Sequence, residues 1–254
     1  MKISIITATY NNETTISESL LSLYSQTYPK VEHIIIDGLS EDKTLNVIKN
    51  TPTKYQRIII SEKDNGIYDA LNKGIKIATG EIIGILHADD MLANNDILEK
   101  IASIFKKENI DALYGDLVYI AEKNPQKIIR HWKSQQFHYK LLKKGWMPPH
   151  PTLFLRKYIY EKFGLFDTSF QISADYEFIL RIFTANIKAF YIPRVIIKMR
   201  IGGTSNKSLN NIYIKMREDL KAIKKHQIGN INVLLKKNLS KIPQFFKSKK
   251  LISF

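Results

Sequence analysis

The chain of 254 residues has no cysteine, so disulfide scaffolds and thiolate zinc sites are excluded and a reducing, cytoplasmic setting fits. No apolar run approaches the ~18 residues of a membrane-spanning helix. The opening M-K-I-S-I-I-T-A-T-Y lacks the long apolar stretch and small-residue cleavage site of a secretory signal. The glycine-rich phosphate cradles G-x-G-x-x-G and G-x-x-x-x-G-K-[ST] are also missing, which turns attention to a metal ion as the partner for any phosphate. Acidic residues are few beside basic ones, 24 against 39, for a net charge of +15.

The charge excess is concentrated at one end. Residues 207–254 hold 12 Lys and Arg against 2 acids, Glu218 and Asp219, the pattern of a basic segment that meets a polyanion, either an acidic membrane surface or nucleic acid. Its apolar residues Ile231, Val233, Leu234, Leu235, Leu239, Ile242, Phe245 and Phe246 are interleaved with lysines. That is the make-up of a helix lying in a membrane interface, and equally of one packing its apolar face on the domain. Nucleic-acid grooves interleave aromatics with their basic residues; the mainly aliphatic side chains here disfavour nucleic acid as the partner.

What is present is an α/β pattern, and 44% hydrophobic residues are enough for a sizeable core. Residues 2–9, 31–36, 57–61 and 81–86 read as strands, each followed or preceded by a helical pattern, at 13–26, toward 50, and at 65–78. Such alternation predicts a mostly parallel central sheet with crossover helices. Further on, a helix is predicted over 95–107 and strands over 112–115 and 189–199, with 127–132 as an antiparallel partner. The first and second apolar runs end in polar groups, at Thr9 and Asp37. The run E-I-I-G-I-L ends in H-A-D-D, residues 87–90. Ligands in open α/β sheets sit outside the carboxyl ends of the strands, and adjacent aspartates there can hold a hard divalent metal on phosphates. Alternatively, Asp89 or Asp90 caps the following helix. Asp175 falls in the first turn of a later helix, a position that also suits a carboxylate for dipole reasons alone.

Four stretches in this order and spacing carry a resemblance: I-I-T-A-T-Y-N-N at the start, D-G-L-S-E-D-K-T, then S-E-K-D-N-G-I-Y-D-A-L-N-K-G-I-K-I-A-T-G-E-I-I-G-I-L-H-A-D-D, and F-D-T-S-F-Q-I-S-A-D-Y-E-F-I-L-R. Across residues 2–205 the chain resembles glycosyltransferase family 2, the inverting GT-A enzymes, and within it the bacterial exopolysaccharide, capsule and O-antigen transferases. The resemblance implies a GT-A domain over 1–205, with a nucleotide-binding half at 1–116 and an acceptor-binding half at 117–205, followed by the basic helical segment 206–254. It implies that Thr9, Tyr10 and Asn11 line a nucleotide pocket, with Asp37 accepting from the imide of a uracil-type base. Lys63, Asn72 and Lys73 would lie toward the diphosphate. Asp89 stands at the family's metal position for Mn²⁺ or Mg²⁺, and Asp90 would support it or touch the ribose. His87 occupies a position that is often Asp in the family, so the D-x-D motif is incomplete and His87 becomes a contributing ligand. Asp175 matches the catalytic base; many relatives carry a second acid where this chain has Ala174.

In the loop W-M-P-P-H-P, Trp146 and His150 either border the acceptor or belong to the core. The stretch Arg200 to Ser205 would either close over the diphosphate or serve as a plain connecting loop. The function implied is metal-assisted transfer of a sugar from a nucleotide-sugar donor, UDP-linked, to a glycan acceptor, with a polyprenyl-diphosphate-linked oligosaccharide as one such acceptor. The setting implied is the inner face of the cell membrane. A sugar nucleotidyltransferase shares the α/β architecture and the metal, but would open with a glycine-rich basic loop that T-A-T-Y-N-N does not provide.

Overall fold

The computed structural model describes residues 1–122, 124–201 and 209–240. The early apolar runs form β1 (Ile3–Thr9), β2 (Val31–Asp37), β3 (Gln56–Ser61) and β4 (Ile82–Ile85). They pair in parallel in the order β3-β2-β1-β4. The crossovers are α1 (Ile16–Tyr24), α2 (Thr44–Asn50) and α3 (Ile67–Ile77). Every residue of β1 and β2 is buried, which is why their sequences are continuously apolar and not alternating. Alternate side chains feed two cores. Ile6, Ile34 and Ile36 pack on the α3 side, and Ile3, Ile5 and Ile35 pack on the α1 side. The register sets Thr9 opposite Asp37 and Asp37 opposite Ser61, so three polar strand ends share one edge.

Beyond β4 the sheet is mixed. The remaining elements are β5 (Met91–Leu92), α4 (Ile97–Lys107), β6 (Ala112–Ala121), β7 (Asn124–Trp132), β8 (Phe154–Arg156), α5 (Lys157–Phe163), α6 (Ala174–Thr184), β9 (Ala189–Arg200), α7 (Leu209–Lys225) and α8 (Ile231–Leu239). The order continues β4-β8-β6-β9-β5, with β7 also on β6. β8 runs antiparallel to both β4 and β6 and joins the two halves. At three residues it is too short to show a period. Gly84 makes the junction possible, because a Cβ there would meet the Phe154 ring at 2.3 Å. β6 is longer than its sequence pattern suggests, since its second half gains β7 on one side and β9 on the other.

The basic C-terminal segment, as far as it is described, packs on the domain. Ala222, Ile223, Val233 and Leu234 share a core with Phe178 and Ile182 of α6. Lys237 reaches Asp219 at 2.7 Å and lies 3.1 Å from the Tyr176 ring centroid. The Glu218 carboxylate accepts from the backbone N–H groups of Gln171, Ile172 and Ser173 at 2.7, 2.9 and 2.9 Å. It thereby ties α7 to the loop that leads into α6, up to the N-cap residue Ser173. Of the side chains read as a membrane face, Val233 and Leu234 are therefore core, while Ile231, Leu235 and Leu239 are 47, 49 and 60% exposed. Ile242, Phe245 and Phe246, like the loop 202–205, lie outside the described residues. Among the described residues no helix is long and apolar enough to cross a membrane.

Two expectations follow from this packing. Glu218→Ala leaves three backbone donors without their carboxylate and should cost about 1–3 kcal/mol, as a loss of a charge-assisted hydrogen-bond set. A lower denaturant midpoint at unchanged m-value would show it, and a midpoint equal to wild type would refute it. The second concerns acid. Burial alone would raise the Glu177 carboxyl, but His226, Arg181 and Lys225 outweigh it and hold it at about 2, below the ordinary 4.5. A depressed carboxylate adds stability that is complete above pH 4.5 and is lost as pH falls toward 2. Glu177→Gln should therefore flatten the dependence of stability on pH across that window, and an unchanged slope would contradict the assignment.

Candidate active site

The chain leaves β4 at Ile85 and turns through residues 86–90 before β5 begins at Met91. Helix α4 starts only at Ile97, behind Asp96. Neither Asp89 nor Asp90 caps it, so the helix-capping alternative fails for both. Asp89 instead faces a cavity of about 440 Å³, whose polar lining also includes His87, His150, Asp175 and Tyr68. Asp90 is fully buried, and neither of its oxygens makes a hydrogen bond of normal geometry. Burial and the neighbouring Asp89 charge push its carboxyl well up, and Arg200 only partly offsets them. Asp90 is thus a buried group next to Asp89 in the turn after β4.

Asp175 reaches the same cavity from the first turn of α6. Ser173 is the N-cap of that helix, and Asp175 stands two positions beyond it. Its Oδ1 lies 3.0 Å from the Tyr68 hydroxyl and its Oδ2 lies 3.0 Å from His150 Nδ1. His150 Nε2 is 3.3 Å from His87 Nε2. The rest of the wall is apolar, including Leu71, Ile85, Phe166, Phe178 and Ile214. Burial, then the facing His150, lowers His87 to about 4. Burial also lowers His150. For Asp175, burial would raise the carboxyl, yet the positive potential of His150, Lys215 and Lys237 leaves it below its ordinary value.

The expected nucleotide edge lies at the ends of β1, β2 and β3. Asp37 accepts from the Ser40 hydroxyl (2.5 Å), the Ser40 N–H (3.1 Å) and the Ser61 hydroxyl (2.7 Å). Those bonds fill three of a carboxylate's roughly four acceptor positions. Thr9 donates to Asn12 Oδ1, and Asn11 holds the neighbouring loop through Ser40 and Glu41. The Tyr10 ring is exposed beside Gly38. These groups are brought together with one another, Asp37 fully buried among them, and none of them lines the cavity.

Others are not brought to the cavity. The Asn72 amide is spent on the backbone of Phe166, donating at 2.9 Å and accepting at 3.0 Å. Lys73 is held by Glu62 at 2.9 Å, by Asp69 at 3.6 Å and by the Lys63 carbonyl at 2.8 Å. Lys63 itself lies exposed beyond β3. Trp146 stacks on Phe137 and meets Tyr114 and Phe183 edge-on, in an aromatic cluster outside the cavity lining. Asp116 is engaged by Ser134, Tyr191 and His131. Arg200 is engaged by Glu18 and the Glu122 carbonyl.

Two contributors escaped sequence reasoning. Tyr68 sits inside the stretch N-G-I-Y-D-A-L-N but shows its role only through its hydroxyl on Asp175. Glu218 lies 43 positions beyond Asp175 in a segment read as a tail.

Comparison with known proteins matches residues 4–164 to the model of glycosyl transferase family 2. A PGL/p-HBAD biosynthesis glycosyltransferase of Mycobacterium bovis is 29% identical over 217 residues, covering 84% of this chain and 82% of the relative. Among solved structures, S. aureus TarS 1–349 in complex with UDP superposes with a TM-score of 0.69 at 20% identity, over 100% of this chain and 76% of that one. A mannosyltransferase from Pyrobaculum calidifontis, in complex with GDP-Man and Mn²⁺, gives 0.67 at 19% identity, over 96% of this chain and 73% of that one. These likenesses bear out the GT-A architecture, and the family match spans most of the chain: it belongs to glycosyl transferase family 2.

Proposed function

We propose that this glycosyltransferase moves a sugar from a UDP-sugar to an acceptor hydroxyl of a cell-surface glycan by a single inverting displacement assisted by Mn²⁺ or Mg²⁺. The observation that carries this reading is the placement of Asp89, from the end of β4, and Asp175, from the start of α6, on one cavity. The UDP and GDP-Man complexes of the structural neighbours support a nucleotide-sugar donor. Asp89 would hold the cation, with His87 as a further donor. The residues fit such an ion on a physical ground: positive charge at Asp89 would offset the cost of the buried, unbonded Asp90 carboxylate. Among the described residues no three acids or histidines converge tightly enough to cage a metal. Mg²⁺ on phosphates commonly takes one or two carboxylates and completes its shell with phosphate oxygens and water. When bound, the ion neutralises charge developing on the departing diphosphate.

The chain's own groups supply the rest. Tyr10 offers a ring for the base to stack on, and Asp37 has one acceptor position left for an imide N–H. Asp175 takes the proton of the acceptor hydroxyl as it attacks the anomeric carbon. Its lowered pKa keeps it ionised for that task. With one displacement and no covalent sugar on the enzyme, the anomeric configuration inverts. The apolar walls limit the water that competes with the acceptor. Exposed Ile231, Leu235 and Leu239 beside the exposed Lys236 of α8 support peripheral contact with an anionic inner membrane, where a polyprenyl-linked acceptor would be presented.

With UDP-Glc, UDP-GlcNAc, UDP-Gal and GDP-Man as a donor panel, Asp175→Asn should lower turnover by at least ~10²-fold, as for loss of a general base, while calorimetric UDP binding persists. Asp89→Ala should abolish the dependence of UDP binding on Mn²⁺. Wild-type turnover in the first variant, or undiminished metal dependence in the second, would refute the corresponding role. Sedimentation with phosphatidylglycerol vesicles should fall for Leu235→Glu; equal binding by variant and wild type would remove α8 from the membrane account.

A further inference from the structure

We propose that the acceptor carries an aryl group on the sugar whose hydroxyl is glycosylated, and that this ring enters the apolar, closed side of the cavity next to Asp175. The proposal deepens the reading of Asp175 as the base and rests on it for treating the ligand as the acceptor.

The cavity has two unlike sides. His87, Asp89, His150, Gln171, Asp175 and Asn211 are all at least partly exposed and supply its polar groups. Leu71, Leu153, Tyr160, Phe166, Phe178 and Ile179 line it as well, yet each is buried, so they form the side away from solvent. Half of that closed side is aromatic. Tyr160 stacks on Phe178 with ring centroids 5.1 Å apart, and Phe166 is tilted against Phe178 at 5.1 Å and against Tyr68 at 5.6 Å. Tyr68 joins the two sides, because its ring meets Phe166 while its hydroxyl lies 3.0 Å from Asp175 Oδ1. The aromatic wall therefore begins one ring away from the carboxylate, within reach of a substituent on the sugar that Asp175 would deprotonate.

A sugar does not suit the closed side. Each hydroxyl taken there loses its water and needs a hydrogen-bond partner. The six buried lining residues offer one polar side-chain group, the Tyr160 hydroxyl, which has no hydrogen-bond partner among the described residues and which burial keeps protonated by pushing its pKa up. A flat ring needs few polar partners, gains from leaving water, and finds faces and edges to pack on. No Lys or Arg is among the lining residues, which suits an uncharged group. The whole cavity, about 440 Å³, has room for a sugar and a ring, since pockets for ring-bearing small molecules run from roughly 300 to 1,000 Å³.

The test uses the full chain and two probes, free 4-nitrophenol and paired methyl and 4-nitrophenyl glycosides of glucose, galactose, mannose and N-acetylglucosamine. In a ¹³C-methyl spectrum of isoleucines, assigned through single Ile→Val substitutions, 4-nitrophenol should shift the lining residues Ile85, Ile179 and Ile214 and leave Ile35 and Ile48 of the other core in place. By calorimetry, Kd for the 4-nitrophenyl member should lie ~10–100-fold below that of its methyl partner in at least one pair, as expected for burying one aromatic ring. Leu71→Phe, one turn on from Tyr68, builds a ring into the same space, and should bring that ratio within about threefold of unity in a protein with the wild-type far-UV spectrum. Unshifted lining methyls, shifts equal at remote methyls, equal Kd values in every pair, or a full aryl preference in folded Leu71→Phe would each overturn the proposal. Should Leu71→Phe fail to fold, the wild-type spectrum and Kd ratios decide. Asp175→Asn separates this inference from the reading beneath it: wild-type turnover in that variant fails the base whatever the ring does, whereas lost turnover there with no ring binding in the wild type fails the aryl site alone.

Discussion

The Glu218 carboxylate of α7, set on the backbone N–H groups of Gln171, Ile172 and Ser173, is the interaction that holds the loop leading into α6 and with it the start of the helix that carries Asp175. Of those three donors only the Ser173 N–H belongs to the helix, at its N-cap position, and the other two are in the loop before it. Asp175, two residues beyond the N-cap, turns its two oxygens to Tyr68 and His150. The C-terminal helices are thus part of how the site is built. α7 also contributes Asn211 and Ile214 to the cavity wall.

The same segment explains where much of the positive charge goes. Lys225 pairs with Asp167 and Glu177, Lys237 and Lys215 pair with Asp219, and Lys221 lies 4.4 Å from the Phe170 ring centroid. Charge that reads in sequence as a polyanion-binding tail is in part the internal electrostatics of a helix pair packed on a domain. What stays outward on α8 is the stripe Ile231, Leu235 and Leu239, four residues apart and on one face. Periodicity alone could not assign its partner, because a single amphipathic helix here has two apolar stripes, one facing α6 and one facing outward.

Much of the donor half was legible in the chain. Buried parallel strands advertise themselves as apolar runs, and polar residues at their ends mark the edge where ligands bind. Asp37 and Asp89 stood out for that reason, whereas Asp175 was legible from its place in the first turn of a helix and from the family resemblance. The register that sets Thr9 beside Asp37 and Asp37 beside Ser61 follows from the same pattern. Side-chain direction was not legible. Asn72 and Lys73 occupy a helix on the right side of the sheet, yet one amide is consumed by the Phe166 backbone and one ammonium by Glu62. Trp146 is drawn into the core by three aromatic rings from distant segments. The clamp on Asp175 joins residues 68, 150 and 175, a contact that only the folded chain brings about. β8 was invisible because three residues carry no period, although Gly84 and Phe154 make its position obligatory.

In the proposed reaction Asp37 meets the nucleotide base, Asp89 the metal and Asp175 the acceptor hydroxyl. A crystal structure of the protein with UDP and Mn²⁺, using anomalous scattering to locate the metal, tests it most directly. The account predicts Mn²⁺ bound to the Asp89 carboxylate, the uracil ring beside Tyr10 and Asp37, and Asp175 facing the diphosphate from across the cavity. Mn²⁺ coordinated elsewhere, or a uracil ring away from the ends of β1 and β2, would contradict it.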